Sequence, residues 1–120
     1  MPNVKESLRD AMSLDGAIAV ALVDYDSGMT LGTEGDAHLF NIDVAAAGNT
    51  QVVRAKLDVM RQLNIGGGIE DILITLDGQY HLIRLLQGTS LFLYVALDRA
   101  RGNLGMARHR LKAIQGALVI

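Results

Sequence analysis

The stretch Asn41 to Leu76, NIDVAAAGNTQVVRAKLDVMRQLNIGGGIEDILITL, decides how this chain is read. Ile42 to Gln62 repeats apolar residues at helical spacing, Gly66-Gly67-Gly68 interrupts the pattern, and Ile69 to Leu76 follows as a strongly apolar strand. At about 100° per residue the helix carries two apolar stripes. Ile42, Ala46, Val53, Leu57 and Met60 form the first; Ala45, Gly48, Val52, Ala55 and Val59 form a second, smaller-residue stripe beside it. Together they cover roughly 200° of the wheel, whereas packing on one sheet needs about 100°. Asp43, Thr50, Gln51, Arg54, Asp58 and Arg61 fall on the remaining solvent arc. Asn49 and Lys56 lie inside the apolar arc, roughly between the stripes, where a lysine can lay its stem along an apolar surface and keep its charge in water. The surplus apolar face needs a partner. So does the strand, if it lies at a sheet edge, because apolar edges are normally covered, charged or paired with another chain.

Upstream of this unit, Asn3 and Glu6 form a capping pair, and Val4, Leu8 and Ala11 or Met12 recur at helical spacing, so a short helix runs from Asn3 to about Leu14. Ala17 to Val23 is apolar at every position, which predicts a strand buried on both faces. Asp24 to Gly28 is turn chemistry, and Met29 to Glu34 alternates apolar and polar as a short edge strand would. Downstream, Asp77-Gly78 and Gln87-Gly88-Thr89 punctuate a meander of three strands: Ile69 to Leu76, Gln79 to Leu86 and Leu91 to Leu97. Leu97, Ala100, Leu104, Ala107, Leu111, Ile114 and Leu118 then predict an amphipathic final helix containing Gly102 and Gly105, which imply either close packing or a loose first turn.

Placing the two fully apolar strands side by side in the centre gives a five-stranded antiparallel sheet of order 2-1-5-4-3. The expected fold is thus α/β of the α+β type. The long middle helix covers one face and the first and last helices the other, because a two-sided apolar sheet needs both covered. The third strand is left at a free edge. Residues 1 to 120 fit one domain.

Composition narrows the chemistry. Net charge is −2 and the chain has no cysteine, so no disulfide or thiol catalysis is possible and the whole-molecule field gives no reason to expect nucleic acid. No apolar run reaches the roughly 18 residues of a membrane helix, and no signal peptide is visible, so neither membrane insertion nor secretion is expected and the location reads as cytoplasmic. Charge is unevenly spread: seven acids and no base lie between Arg9 and Arg54, while Arg99, Arg101, Arg108, Arg110 and Lys112 follow Asp98 without an acid.

Catalytic signatures are missing. The triple glycine is followed by Ile69-Glu70-Asp71 rather than a Lys and a hydroxyl, so it is no phosphate loop. His38, His81 and His109 form no metal-ligating pair, and the serines have no nucleophile context. Asp24 and Asp26 flank Tyr25 in what reads as a hairpin turn. No catalytic residue, cofactor or metal is expected. The best site in the sequence is an interface for a second copy of the chain, built from Ala45, Gly48, Asn49, Val52, Ala55, Lys56, Val59, Ile72, Leu73 and Ile74.

The order of elements, and the phrases GAIAVALVDYDSG (Gly16 to Gly28), IEDILITLDGQYHLIRLL (Ile69 to Leu86) and LFLYVALDR (Leu91 to Arg99), resemble the Roadblock family, named for a dynein light chain. The resemblance implies homodimers or heterodimers in which middle helices pack together and third strands join into one sheet. It also implies partnership with small Ras-like GTPases: bacterial MglB-type members regulate one as a dimer, and eukaryotic relatives act as scaffolds or motor subunits. The expected function is a non-enzymatic dimeric module that binds or regulates such a GTPase. The alternative is a small-ligand sensor with a pocket between sheet and helix. Such a pocket needs a polar group aimed into it, and Asn49, Lys56, His81 and Arg84 are the candidates.

Overall fold

The structure, a computed structural model, describes residues 2–119. Its elements are α1 (Val4–Met12), β1 (Ala17–Asp24), β2 (Thr30–Gly35), α2 (Ile42–Gln62), β3 (Asp71–Thr75), β4 (Gln79–Leu85), β5 (Leu91–Asp98) and α3 (Leu104–Ala117). The strands form one antiparallel sheet in the order β2-β1-β5-β4-β3. β1 and β5 lie side by side in the interior, with Val20 opposite Val95 and Leu22 opposite Leu93. Being apolar on both faces, they belong where both faces are covered.

The two faces carry separate cores. On one, Leu8 and Ala11 of α1 and Ala107, Leu111 and Ile114 of α3 pack on Val20, Leu22, Leu82, Leu93 and Val95. On the other, Ile42, Ala46 and Val53 of α2 pack on Ala19, Ala21, Val23, Phe92 and Tyr94. Each helix starts at an asparagine whose side-chain oxygen accepts an otherwise unpaired backbone N–H: Asn3 from Glu6, Asn41 from Val44 and Asn103 from Met106. At Asn3 the reciprocal bond from its N–H to Glu6 completes the capping box.

Three expectations are corrected. The last helix begins at Leu104, not near Leu97. Leu97 is a strand residue of β5, and the N–H groups of Arg101 and Gly102 turn back to the Asp98 carbonyl before Asn103 caps the helix. Gly102 is there for close packing: a Cβ on it would lie 2.9 Å from the Asp98 oxygen, and a Cβ on Gly16 would lie 2.8 Å from the Gly102 nitrogen. β3 is also shorter than the apolar run that contains it, because the Ile69 carbonyl is taken by the Gln87 side chain and Leu76 closes the turn to Gln79. Finally, Thr50 leaves the solvent arc. It is 2% exposed, since α2 lies closest to β1 and β2 and the flank bearing Thr50 is pressed against them; its hydroxyl is satisfied by the Ala46 carbonyl at 2.8 Å.

Part of the charge asymmetry resolves inside the chain. Arg110 of α3 donates to Asp10 at 2.9 Å and to Ser13 at 3.0 Å, which ties the last helix to the first. Arg108 donates to the Asp71 carboxylate at 2.8 Å, and Arg84 stands 3.9 Å from the same group while donating to Gln115. Edge strand β3 is thereby tethered to α3. The carboxylate beside Arg108 also holds its guanidinium pKa above the ordinary value.

Candidate interaction surface

α2 is packed on the sheet through Ile42, Ala46 and Val53 and tied to the first hairpin by an arginine. Arg54 donates from Nε to the Tyr25 carbonyl and from Nη2 to the Asp26 carbonyl, each at 2.6 Å, so that flank of the helix faces the turn between β1 and β2. The turn itself is pre-shaped by Asp24, whose carboxylate accepts the Asp26 N–H and the Ser90 hydroxyl at 2.9 Å each. These bonds, the backbone one first, hold the Asp24 pKa below the usual carboxylate value. The Asp24 carboxylate thus serves as turn chemistry, and Asp26 contributes its backbone N–H and carbonyl.

Ala45, Val52 and Lys56 sit about 180° to 200° around the helix from Arg54, and Val59 about 140°. They therefore look the other way, across the sheet toward β4 and β3. Val52 is 38% exposed and Val59 41%. Gly48, Ala55 and Lys56 are exposed as well, Ala45 is half-buried, and among the described residues nothing beyond the helix's own backbone lies within 4 Å of where a Gly48 Cβ would stand. A stripe of small and apolar side chains thus runs along α2 without a partner among the described residues.

The register of β3 decides which of its residues share that side. Ile72 is opposite Ile83, which belongs to the α2-side core, and Ile74 is opposite His81. Leu73 is opposite Leu82, which belongs to the α1 and α3 core. Ile72 and Ile74 therefore lie on the same side of the sheet as the helix stripe, half-buried, and Leu73 lies on the other side, exposed. Asn49 is turned inward and buried. Sequence reasoning missed Val44, which is 65% exposed and stands one turn before Gly48 on the same stripe. Its apolar side chain four residues from Gly48 was the available signal.

Beneath the open end of the stripe is a small polar cluster. The His81 ring meets Tyr94 OH through Nδ1 at 3.2 Å and Gln79 Oε1 through Nε2 at 2.7 Å. The neutral tautomer with its proton on Nε2 satisfies both, accepting from the phenol and donating to the amide. Phe40 meets the ring edge-on with centroids 6.1 Å apart. Burial lowers the His81 pKa, and burial raises that of Tyr94 to about 12 against the opposing hydrogen bond from Asn49.

A cleft of about 490 Å³ opens between α2 and the first hairpin turn, walled by Tyr25, Asp26, Arg54, Leu57, Asp58 and Arg61. Its four charged groups balance one another. Among the described residues no helix is long and apolar enough to cross a membrane.

No protein-family model matches this sequence, and no curated protein matches it. Solved structures do. A Roadblock/LC7 domain from Streptomyces avermitilis superposes with a TM-score of 0.81 at 14% identity, covering 97% of this chain and 94% of that one. The gliding protein MglB from Thermus thermophilus gives 0.78 at 17% identity over 94% of this chain and 83% of its own. MglC from Myxococcus xanthus gives 0.66 at 19%, over 94% and 93%. The chain has a Roadblock-like fold.

Proposed function

We propose that this chain, with its Roadblock-like fold, is a homodimeric interaction module that binds or regulates a small Ras-like GTPase, either as a scaffold or as an MglB-like regulator, and that it carries no catalytic residue of its own. The observation that carries the reading is the coincidence of two unpartnered features on one side of the sheet: the α2 stripe of Ala45, Gly48, Val52, Ala55 and Val59, and the free β3 edge with Ile72 and Ile74. A two-fold axis beside β3 pairs the two edges into one sheet and lays each stripe on the other, with Lys56 at the rim. Such an isologous contact closes on itself and leaves no open end. One of the matched structures is described as MglB with a tetrameric arrangement, which supports assembly as a property within this fold. The partner class rests on the family resemblance. In this reading the module acts in the cytoplasm, and its effect on a GTPase is to reshape that protein's own active site.

The sensor reading has less support. Of its four candidates, Asn49 is packed in the interior, His81 is engaged with Tyr94 and Gln79, Arg84 with Gln115 and Asp71, and Lys56 is exposed.

The test is affinity capture from the native organism with the full chain as bait, in the presence of GDP or of a non-hydrolysable GTP analogue. Recovery of a Ras-like GTPase that prefers one nucleotide supports the proposal. Reproducible recovery of none overturns its partner half, while solution mass independently tests the dimer half.

A further inference from the structure

β3 and β4 turn Ile72, Ile74, Gln79, His81, Ile83 and Leu85 to the side of the sheet that carries α2. Of these six, only His81 titrates. It stands opposite Ile74 of the edge strand and opposite Ala96 of β5, and it is half-buried. Both ring nitrogens are occupied, Nδ1 by the Tyr94 hydroxyl at 3.2 Å and Nε2 by Gln79 Oε1 at 2.7 Å, and the Phe40 and Tyr94 rings meet the imidazole edge-on. This arrangement suits the neutral ring. A second proton would sit on Nδ1 and oblige the phenol that donates there to turn its own proton elsewhere.

The groups around His81 do little to hold a charge. From β5 come the Tyr94 phenol, which burial keeps protonated with a pKa of about 12, and Asp98, diagonal to His81 and engaged with the Ala100 N–H at 2.9 Å. β3 brings Ile74, and the connector before α2 brings Phe40, with its Asp36 and His38 exposed. α2 turns Lys56, a like charge, toward β4 and β3, while its acids Asp43 and Asp58 lie on the Arg54 flank. None of the ion pairs among the described residues includes His81. We propose that His81, with Tyr94 and Gln79, is a pH-sensitive switch of the interaction surface: the neutral ring lets a second copy of the chain close over it, and the protonated ring releases that copy. The switch presupposes the homodimer with its seam along α2 and β3. In that dimer the second copy covers the exposed part of His81, and loss of water disfavours the imidazolium further. The ring already titrates below 6.5 in one copy, through burial. The dimer then binds fewer protons than two separate copies, so its affinity is full above 6.5 and declines as the pH falls through the single-copy value. Each dimer holds two such rings, so half a unit of further lowering at each amounts to about tenfold in the dissociation constant.

The test is analytical ultracentrifugation of the full chain between pH 7.5 and 5.0 at constant ionic strength. The dissociation constant should rise at least about fivefold over that range in the native protein and stay within about twofold in His81→Gln, which keeps a polar group at the position and cannot titrate. Far-UV circular dichroism checks that the variant is folded. NMR of the carbon-bound imidazole protons supplies a measurement that needs no variant: the His81 resonances should move in step with dissociation. A dimer whose constant follows the same pH course in native protein and in folded His81→Gln overturns the switch and leaves the dimer standing. So does a His81 ring that remains neutral while the dimer dissociates. A native protein that is monomeric at pH 7.5 overturns the dimer, and the switch with it.

Discussion

Arg54 of α2 donates two hydrogen bonds of 2.6 Å to consecutive carbonyls of the first hairpin turn, those of Tyr25 and Asp26, and so ties one flank of the helix to that hairpin. The planar guanidinium supplies both donors in one fork, which an ammonium cannot copy. Arg54→Met should cost about 1 kcal/mol, since the pair is exposed, and Arg54→Lys should recover only part of it. Urea midpoints at constant slope measure both; equal stability of all three proteins would mean that the clamp contributes nothing.

Val52→Asp places a charge on the α2 stripe and, if the stripe is the dimer seam, should split the dimer by leaving a carboxylate uncompensated there. Light scattering should then report a fall from about 26 kDa, twice the 12.9 kDa of one chain. The control is Ala47→Asp, exposed and about 140° around the helix from Val52, which should leave the mass unchanged. A monomeric native protein, or the same mass for both variants, removes the seam assignment. Thr50→Asp, at a position buried in the fold, should instead unfold the domain.

Gly16 has φ +80° and faces the backbone of Gly102 across 2.8 Å of would-be Cβ contact. Gly16→Ala should therefore cost at least about 2 kcal/mol, combining left-handed strain with the displacement of a backbone that has no side-chain end to yield. Gly28→Ala carries the strain alone, at φ +79° with nothing within 4 Å, and should cost about 1 kcal/mol. Chemical denaturation of the two variants separates strain from contact; similar losses would refute the tight approach.

His81 is held neutral by burial, its folded pKa lying below the ordinary 6.5. Below 6.5 the unfolded chain takes up a proton that the folded chain resists, so stability should be fully present above 6.5 and decline as the pH falls from there toward the folded pKa. Urea titrations at pH 7.5 and 5.5 should show the loss, and His81→Gln should show less of it. An identical pH slope in the variant would place the effect elsewhere.

Ser7 of α1 is 2% exposed, and its hydroxyl has no partner among the described residues. Ser7→Ala should be neutral to stabilising by up to about 1 kcal/mol, because it removes a desolvated polar group without opening a cavity. A thermal midpoint clearly below that of the native protein would reveal a hydrogen bond at that hydroxyl.

Periodicity in the sequence determined the elements and their order. Ala17 to Val23 and Leu91 to Leu97 are apolar at every position, and only central strands are buried on both faces, so β3 had to fall at an edge. The 21-residue span of α2 was likewise legible from its apolar spacing and the glycine break that follows it. What the wheel could not decide was the tilt of α2 over the sheet. A helical wheel fixes angles between side chains and says nothing of which angle faces the sheet. That choice was made by long-range contacts: Ile42, Ala46 and Val53 pack on β1 and β5, and Arg54 reaches the Tyr25 and Asp26 carbonyls, 29 and 28 residues back along the chain, so that Thr50 and Asn49 are buried and Val44 and Val52 stay outside. The alternation of β3 separated Leu73 from Ile72 and Ile74 in the same way, once pairing with β4 had set which face each residue meets. Local pattern therefore specified the parts of the Asn41 to Leu76 unit, and long-range contacts specified which of its apolar surfaces stayed open.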